Sequence, residues 1–207
     1  MNAIVNEVLI NDIGYNLDEL ERDCWVRLQN GALKSKDPFH TPSVATFDSE
    51  GVQIRTVVLR KVIPTEKQLS FHTDTRSRKW TQLQTNPTVS ALFYSPAARI
   101  QIRINGIASL QFNNPTTAEA WQNTTLSSRR CYLVQPAPSS YTDFPTSGMS
   151  EKVEQEKFSL EESEIGYQNF GIVSIHVESI DWLFLHHAGH RRAFFDYKHG
   201  TKRWMVP

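Results

Sequence analysis

Val44-Ala-Thr-Phe47, Asp48-Ser-Glu-Gly51 and Val52-Gln-Ile-Arg-Thr-Val-Val-Leu-Arg-Lys-Val62 form the stretch that decides the fold class. Two runs rich in β-branched residues flank an acidic turn that ends in glycine, which predicts a β-hairpin. Downstream, Leu69 to Thr73 predicts a third strand. It leads into Thr75-Arg-Ser-Arg-Lys-Trp-Thr-Gln-Leu83, where Trp80, Leu83 and the stop at Asn86-Pro87 predict a short helix with Ser77 at its N-cap. Val89 to Tyr94 and Ile100 to Leu110 predict two more strands. In the second, Ile100, Ile102 and Ile104 alternate with Gln101, Arg103 and Asn105, giving one apolar and one polar face. Gly171 to Val177, Trp182 to His186, Arg191 to Tyr197 and Thr201 to Val206 supply closing strands, with short turns expected at Asp181, Gly189 and Gly200.

Upstream, Leu17, Leu20, Cys24, Trp25 and Leu28 recur at offsets of three and four, the pattern of an amphipathic helix over about 17–31 with Asp18 near its N-cap. Pro115 opens a helix through Trp121 to about Leu126. A weakly patterned stretch, 127–165, follows as a surface excursion with one polar helix in the charged run Glu151 to Glu164. The expectation is one domain over 1–207, mainly β with peripheral helices. Its strands form an antiparallel barrel, about 43–112 and 168–207, closed so that edges are removed, and the excursion occupies about 113–167.

Composition narrows the function. Lys and Arg number 22 against 22 Asp and Glu, so the chain has no net charge with which to track a nucleic acid. No run approaches the roughly 18 apolar residues needed to span a bilayer. The N-terminus, Met1-Asn-Ala-Ile-Val-Asn-Glu7, has neither the basic nor the apolar segment of a secretory leader, so a cytoplasmic setting is expected. Cys24 and Cys131 stand far apart without a metal-like spacing and read as two structural thiols in a reducing compartment. His186, His187, His190 and His199 are close in sequence, but no acid or thiol lies among them at a ligand spacing, and no metal is expected.

Three basic and polar clusters carry the functional signal: Arg55-Thr-Val-Val-Leu-Arg60, Thr73-Asp-Thr-Arg-Ser-Arg-Lys79 and Arg99-Ile-Gln-Ile-Arg103. In the second, a strand end passes into a helix N-terminus, where free N–H groups, the Ser77 hydroxyl and the cations Arg78 and Lys79 converge. Cations there oppose the helix dipole, which points to a bound anion such as a phosphate. Arg55 and Arg60 sit at the two ends of a neighbouring strand. Gln101 lies on a polar face, with an amide suited to the edge of a heteroaromatic ring.

Together the clusters resemble the pyridoxamine 5'-phosphate oxidase family of FMN-binding, Greek-key split barrels over most of 43–207. The family pattern Arg-x-Val-Leu-Leu-Lys is similar to Arg55-Thr-Val-Val-Leu-Arg60, Phe-Tyr-Thr-Asn-x-x-Ser-Arg-Lys resembles Phe71-His-Thr-Asp-Thr-Arg-Ser-Arg-Lys79, and Arg-Gln-Val-x-Val-x-Gly resembles Ile100-Gln-Ile-Arg-Ile-Asn-Gly106. A family Trp followed ten residues later by Arg is matched by Trp182 and Arg192, and the Arg-Leu-x-Pro ending resembles Arg203 to Pro207.

The resemblance implies that Arg55, Ser77, Arg78 and Lys79 serve the FMN phosphate and ribityl chain. His72 and Thr73 would lie near the ring, the strand Thr56, Val57, Val58 to Arg60 beside the flavin, Gln101 at its polar edge, and Trp182 and Arg192 would complete the site. It also implies a homodimer with FMN at the subunit interface, and hydride transfer from a small substrate to flavin N5 with reoxidation by oxygen or another acceptor. A non-catalytic FMN-binding or sensor protein and a nicotinamide-dependent flavin reductase are the alternatives.

On the substrate side the pattern departs. Arg60 replaces a Lys, Trp121, Thr125 and Arg129 stand in place of a Tyr-x3-Arg-x3-Ser motif, and Ala188 occupies the position of an Arg, whereas His190 is retained. Arg60 and His190 remain the substrate-side candidates. The chain is therefore expected to be a divergent relative that oxidises pyridoxamine 5'-phosphate poorly.

Overall fold

The computed structural model describes residues 7–10 and 13–207; residues 1–6, within the stretch read for a leader, lie outside them. Two short antiparallel strands, β1 (Val8–Ile10) and β2 (Ile13–Tyr15), precede helix α1 (Leu17–Leu33). The helix starts at Asn16 rather than Asp18. Asn16 Oδ1 accepts from the N–H groups of Asp18 and Glu19, and Glu19 Oε2 accepts from the Asn16 N–H, so two orphan donors of the first turn and the cap's own N–H are satisfied. Asp18 pairs instead with Lys202.

The predicted hairpin is β3 (Ser43–Asp48) and β4 (Gly51–Thr56), but its second strand does not run on to Val62. At Val57 and Leu59 the backbone N–H groups leave β3 and donate to Pro42 O (3.0 Å) and His40 O (2.9 Å). The chain then restarts as β5 (Leu59–Ile63), which pairs with β6 (Gln68–Asp74). One β-branched run therefore serves two partners, and Val57 and Val58 lie between the two ladders.

Helix α2 (Arg78–Thr85) and strands β7 (Thr88–Ser95) and β8 (Ile100–Phe112) follow as expected. Beyond them come α3 (Pro115–Gln122), α4 (Leu126–Arg129), α5 (Glu151–Glu154), α6 (Leu160–Ser163), β9 (Phe170–Phe184), β10 (Arg191–Asp196) and β11 (Thr201–Met205). No turn interrupts the chain at Asp181, because β9 is a single strand of 15 residues bonded to β8 along its length. Its first half also pairs with β6 and its second half with β10. This exchange of partners splits the antiparallel barrel, whose main path is β11-β10-β9-β8-β7-β3-β4.

The inward face of β8, Ile100, Ile102 and Ile104, is fully buried against Val177, Ile180, Trp182 and Phe184 of β9. The excursion is held more firmly than its composition suggests. Trp121, Tyr132, Phe170 and Ile172 form a second cluster, and Arg129, 2% exposed, fastens it. The Arg129 guanidinium donates to Trp121 O (2.8 Å), Thr124 O (3.2 Å), Ser163 Oγ (3.1 Å) and Glu164 Oε1 (2.5 Å), and lies 4.5 Å from the Trp121 ring centroid. The charged run forms two single-turn helices rather than one polar helix, and of the two thiols only Cys24 is buried, Cys131 being exposed. Among the described residues no helix is long and apolar enough to cross a membrane.

Candidate functional site

Arg55 points from β4 to the face of the sheet that α2 covers. Its guanidinium donates to Thr46 Oγ1 (2.6 Å), Gln82 Oε1 (3.2 Å) and Val44 O (3.4 Å), all neutral acceptors. Lys79, in the first turn of α2, donates to Thr73 Oγ1 (2.8 Å) and Ser77 Oγ (3.3 Å). Ser77 is the N-cap residue, yet its hydroxyl donates back to Asp74 O (2.6 Å) rather than accepting from the helix, so the first-turn N–H groups are not capped by it. Burial and the Arg55 guanidinium together hold Lys79 below the usual lysine range, and burial likewise lowers Arg55. The nearby carboxylate, Asp74, is occupied by Arg76 at 2.6 Å. Two desolvated cations share a helix N-terminus with neutral partners only, an arrangement that a multiply charged anion completes.

Beside them lies a cavity of about 360 Å³, floored by the broken strand at Thr56, Val57 and Val58 and walled by Thr73, Lys79 and Tyr132. Arg60, His72, Ser128 and Cys131 reach it from the other side. His72 is packed edge-on to Phe170, ring centroids 4.8 Å apart, and burial, with a smaller effect of Arg60, lowers it to about 4. It is therefore a neutral imidazole at physiological pH. A cavity lined by Lys79 and Arg60, by the strand break at Val57–Val58 and by a neutral ring fits a phosphorylated heteroaromatic such as FMN.

The remaining sequence candidates divide. Arg78 does not join Lys79: it is exposed and pairs with Asp48 (2.9 Å) and Glu50 (2.5 Å) of the β3–β4 turn. Gln101 and Arg192 flank Leu183 in one cross-strand row on the outer face of the sheet, and neither lines the cavity beside Lys79. Trp182 is corrected by the register. It faces the barrel interior at 0% exposure, and Leu183 takes the outward position opposite Arg192. His190 lies in the loop before β10, where its Nδ1 accepts from the His186 N–H.

Several residues of the arrangement carry no motif signal. Thr46 and Gln82 hold Arg55, and Gln82 also donates to Asp48, whose carboxyl is lowered to about 2 by its bonds from Gln82 and Arg78. Asp181 fixes Arg192 through Nε (3.0 Å) and Nη2 (2.6 Å) while also pairing with Arg103. Its place one residue before Trp182 was the available hint.

Residues 22–111 match the family model described as the FMN-binding domain of pyridoxamine 5'-phosphate oxidase. A pyridoxine/pyridoxamine 5'-phosphate oxidase of Leptospira interrogans is 41% identical over 64 residues, covering 31% of this chain and 29% of its own length. A Caenorhabditis elegans protein is 35% identical over 89 residues, 41% of this chain and 38% of its own. The matches thus span well under half of these relatives. Among solved structures, a pyridoxamine 5'-phosphate oxidase-related, FMN binding protein of Nostoc punctiforme superposes with a TM-score of 0.72 at 21% identity, covering 90% of this chain and 96% of that one. PhzG of Burkholderia lata, in complex with tetrahydrophenazine-1-carboxylic acid, gives 0.64 at 14% identity with 90% of each chain covered. Residues 22–111 thus match a pyridoxamine 5'-phosphate oxidase-type FMN-binding domain, with FMN as the cofactor of that domain, and the chain as a whole shares the split-barrel fold of these proteins at low identity.

Proposed function

We propose that the protein is an FMN-dependent oxidoreductase in which Arg55, Ser77 and Lys79 hold the phosphate end of the cofactor, and the Thr56–Val58 backbone, His72 and Thr73 border its ring. The observation that carries this reading is the pair of desolvated cations, Arg55 and Lys79, whose hydrogen-bond partners are all neutral. When bound, FMN supplies a ring that accepts a hydride from a small substrate at N5 and passes the electrons to oxygen or another acceptor. The protein contributes position and a neutral imidazole wall at His72.

A homodimer belongs to the same reading. Gln101 and Arg192 sit on the outer face away from the Lys79 cavity, so a second copy bringing that face to the cavity would supply them. On that outer face Phe47, Val52, Ile54, Leu92 and Tyr94 are 40 to 69% exposed, a contiguous apolar patch of the kind that marks an interface. The free thiols Cys24 and Cys131 support a cytoplasmic setting.

The substrate of this reading is not pyridoxamine 5'-phosphate. Arg129 is consumed as a buried clamp, and Ala188 offers no charge where the family pattern carries an Arg. The test is purification with FMN, followed by anaerobic reduction and aerobic turnover. Released FMN on denaturation, with negligible oxidation of pyridoxamine 5'-phosphate, is expected. A colourless protein that takes up no added FMN overturns the cofactor assignment, and ordinary turnover of that vitamer overturns the substrate assignment.

A further inference from the structure

A second cavity, of about 430 Å³, opens on the far side of His72, and Arg60, His72 and Ser128 line both. Its floor is the outer face of β5, β6, β9 and β8. Register places His72, Ile172 and Gln111 in one cross-strand row, and Lys61, Ser70 and Ser174 in the next. Its roof is α3 and the turn into α4, including Glu119, Asn123 and Thr125. A helix laid over a sheet ordinarily buries apolar side chains against it. Here Ala120 and Ile172 are the apolar side chains among those lining the space, and the rest are hydroxyls, amides, an imidazole and charges. Gln111 Oε1 is buried with no donor, a state that costs free energy until a donor arrives.

The charges are ordered along the groove. Arg60 and Lys61 stand at the β5 end. Gln111 stands on β8 at the other end, three strand spacings or about 14 Å away by backbone, and Glu119, which also lines the groove, is carried by α3, the helix that packs on β8 and β9. A ligand with one charge would leave an end unanswered.

We infer that this groove binds a small zwitterion, its anionic group against Arg60 and Lys61 and its ammonium group pairing with Glu119 and, once the Gln111 amide turns toward it, donating to Gln111 Oε1. The groove shares Arg60, His72 and Ser128 with the cavity assigned to FMN, so the ligand's role as a flavin substrate rests on that assignment, whereas its binding does not.

Calorimetric titration of the FMN-loaded protein with ω-amino carboxylates from β-alanine to 6-aminohexanoate, beside alkyl carboxylates and alkyl amines of matching length, tests it. At least one zwitterion should bind roughly tenfold more tightly than both singly charged analogues, as expected when a second charge-assisted hydrogen bond is made. Lys61→Gln and Glu119→Gln, both at exposed positions, should each remove about that factor while FMN content stays the same; Gln111→Leu should weaken binding as well. Equal binding of the singly charged analogues, absence of any binding, or unchanged affinity in the variants overturns the inference. Zwitterion binding by a protein that takes up no FMN would leave this inference standing and the cofactor assignment failed; FMN-loaded protein that binds no zwitterion gives the reverse.

Discussion

Lys79 Nζ lies 2.8 Å from Thr73 Oγ1, so the ammonium at the mouth of the cavity is ligated by a hydroxyl, with Arg55 as its charged neighbour. Burial and then Arg55 act against the charge on Lys79, and Asp74 offsets them only in part, so the worth of the arrangement depends on the ligand. Lys79→Met should weaken FMN binding by about 1.5–3 kcal/mol, the usual value of a charge-assisted hydrogen bond. The same substitution should leave the melting temperature of the FMN-free protein unchanged or raised, because it removes a desolvated cation. Fluorescence titration and thermal melts of the apo form check the two halves, and a large fall in the apo melt would make Lys79 a structural residue.

Arg78, next in sequence to Lys79, should behave differently. Its guanidinium is spent on Asp48 and Glu50 at an exposed turn, where solvent screening leaves ion pairs little net worth. Arg78→Ala should change FMN affinity by less than Lys79→Met in parallel titrations. An effect as large as that of Lys79 would mean that Arg78 leaves the turn when FMN binds.

Ile54 is 69% exposed on the outer face and Leu92 is 40% exposed on the same face. Ile54→Asp and Leu92→Asp should convert a dimer to monomers in light-scattering measurements and release FMN together with the partner. A dimer that persists through both substitutions would place the interface elsewhere.

His72 makes stability depend on pH with a definite sign. Its folded value, about 4, lies below the unbound 6.5, so protons bind the unfolded chain first as pH falls. Stability is at its full value above about pH 6.5 and is lost between there and about pH 4, by about 3 kcal/mol at one unit per 1.36 kcal/mol. Urea unfolding of apo protein at several pH values should show this loss, and His72→Phe should remove that part of it. An identical pH profile in the variant would assign the loss to other groups.

The alternating β8 and the amphipathic α1 were legible because each has one face in the core and one in solvent, so the pattern is periodic. The break at Val57–Val58 was not, because it contains no Gly or Pro and is made by long-range backbone bonds to Pro42 and His40. β9 was misread as two strands because Ser179 and Asp181 look like a turn, whereas they face Asn105 and Arg103 across the ladder. The same feature hid the parity of Trp182 and Leu183. In the site, Thr73, Ser77 and Lys79 were legible as a contiguous motif at a strand-to-helix passage. Thr46, Gln82 and Asp181 were not, since they position arginines from other elements and only tertiary structure brings them there.

Arg129 should be the costliest single truncation in the excursion. Arg129→Ala removes bonds to four acceptors and a cation–π contact while leaving Glu164, which is half exposed, free to hydrate. The carbonyls of Trp121 and Thr124 and the core of the second cluster lose their partner. A loss of about 2–4 kcal/mol is expected from several hydrogen bonds to a charged group, together with faster proteolysis within 127–165. Unchanged protease resistance would show that the Trp121, Tyr132, Phe170 and Ile172 cluster holds the segment alone.

Gly106 tests whether the β8–β9 register is set by sterics. An alanine in a strand would ordinarily stabilise slightly by restricting the unfolded chain. At Gly106, however, a Cβ would stand 2.2 Å from His176 O, a backbone atom that cannot rotate away, and 3.0 Å from Ile175 Cγ2. The ladder shifts register between Asn105 and Gly106, and the close approach sits at that shift. Gly106→Ala should therefore destabilise by about 1–3 kcal/mol, the range for overpacking. Gly51→Ala meets nothing within 4 Å but sits at φ +111°, so its cost is backbone strain alone and is confined to the β3–β4 turn. Hydrogen exchange should separate them: Gly106→Ala should lower protection along β8 and β9, including Gln101 and Asp181, whereas Gly51→Ala should lower it only near Asp48. Protection along β8 that survives Gly106→Ala would show that the ladder absorbs the side chain by slipping, and would remove the steric account of its register.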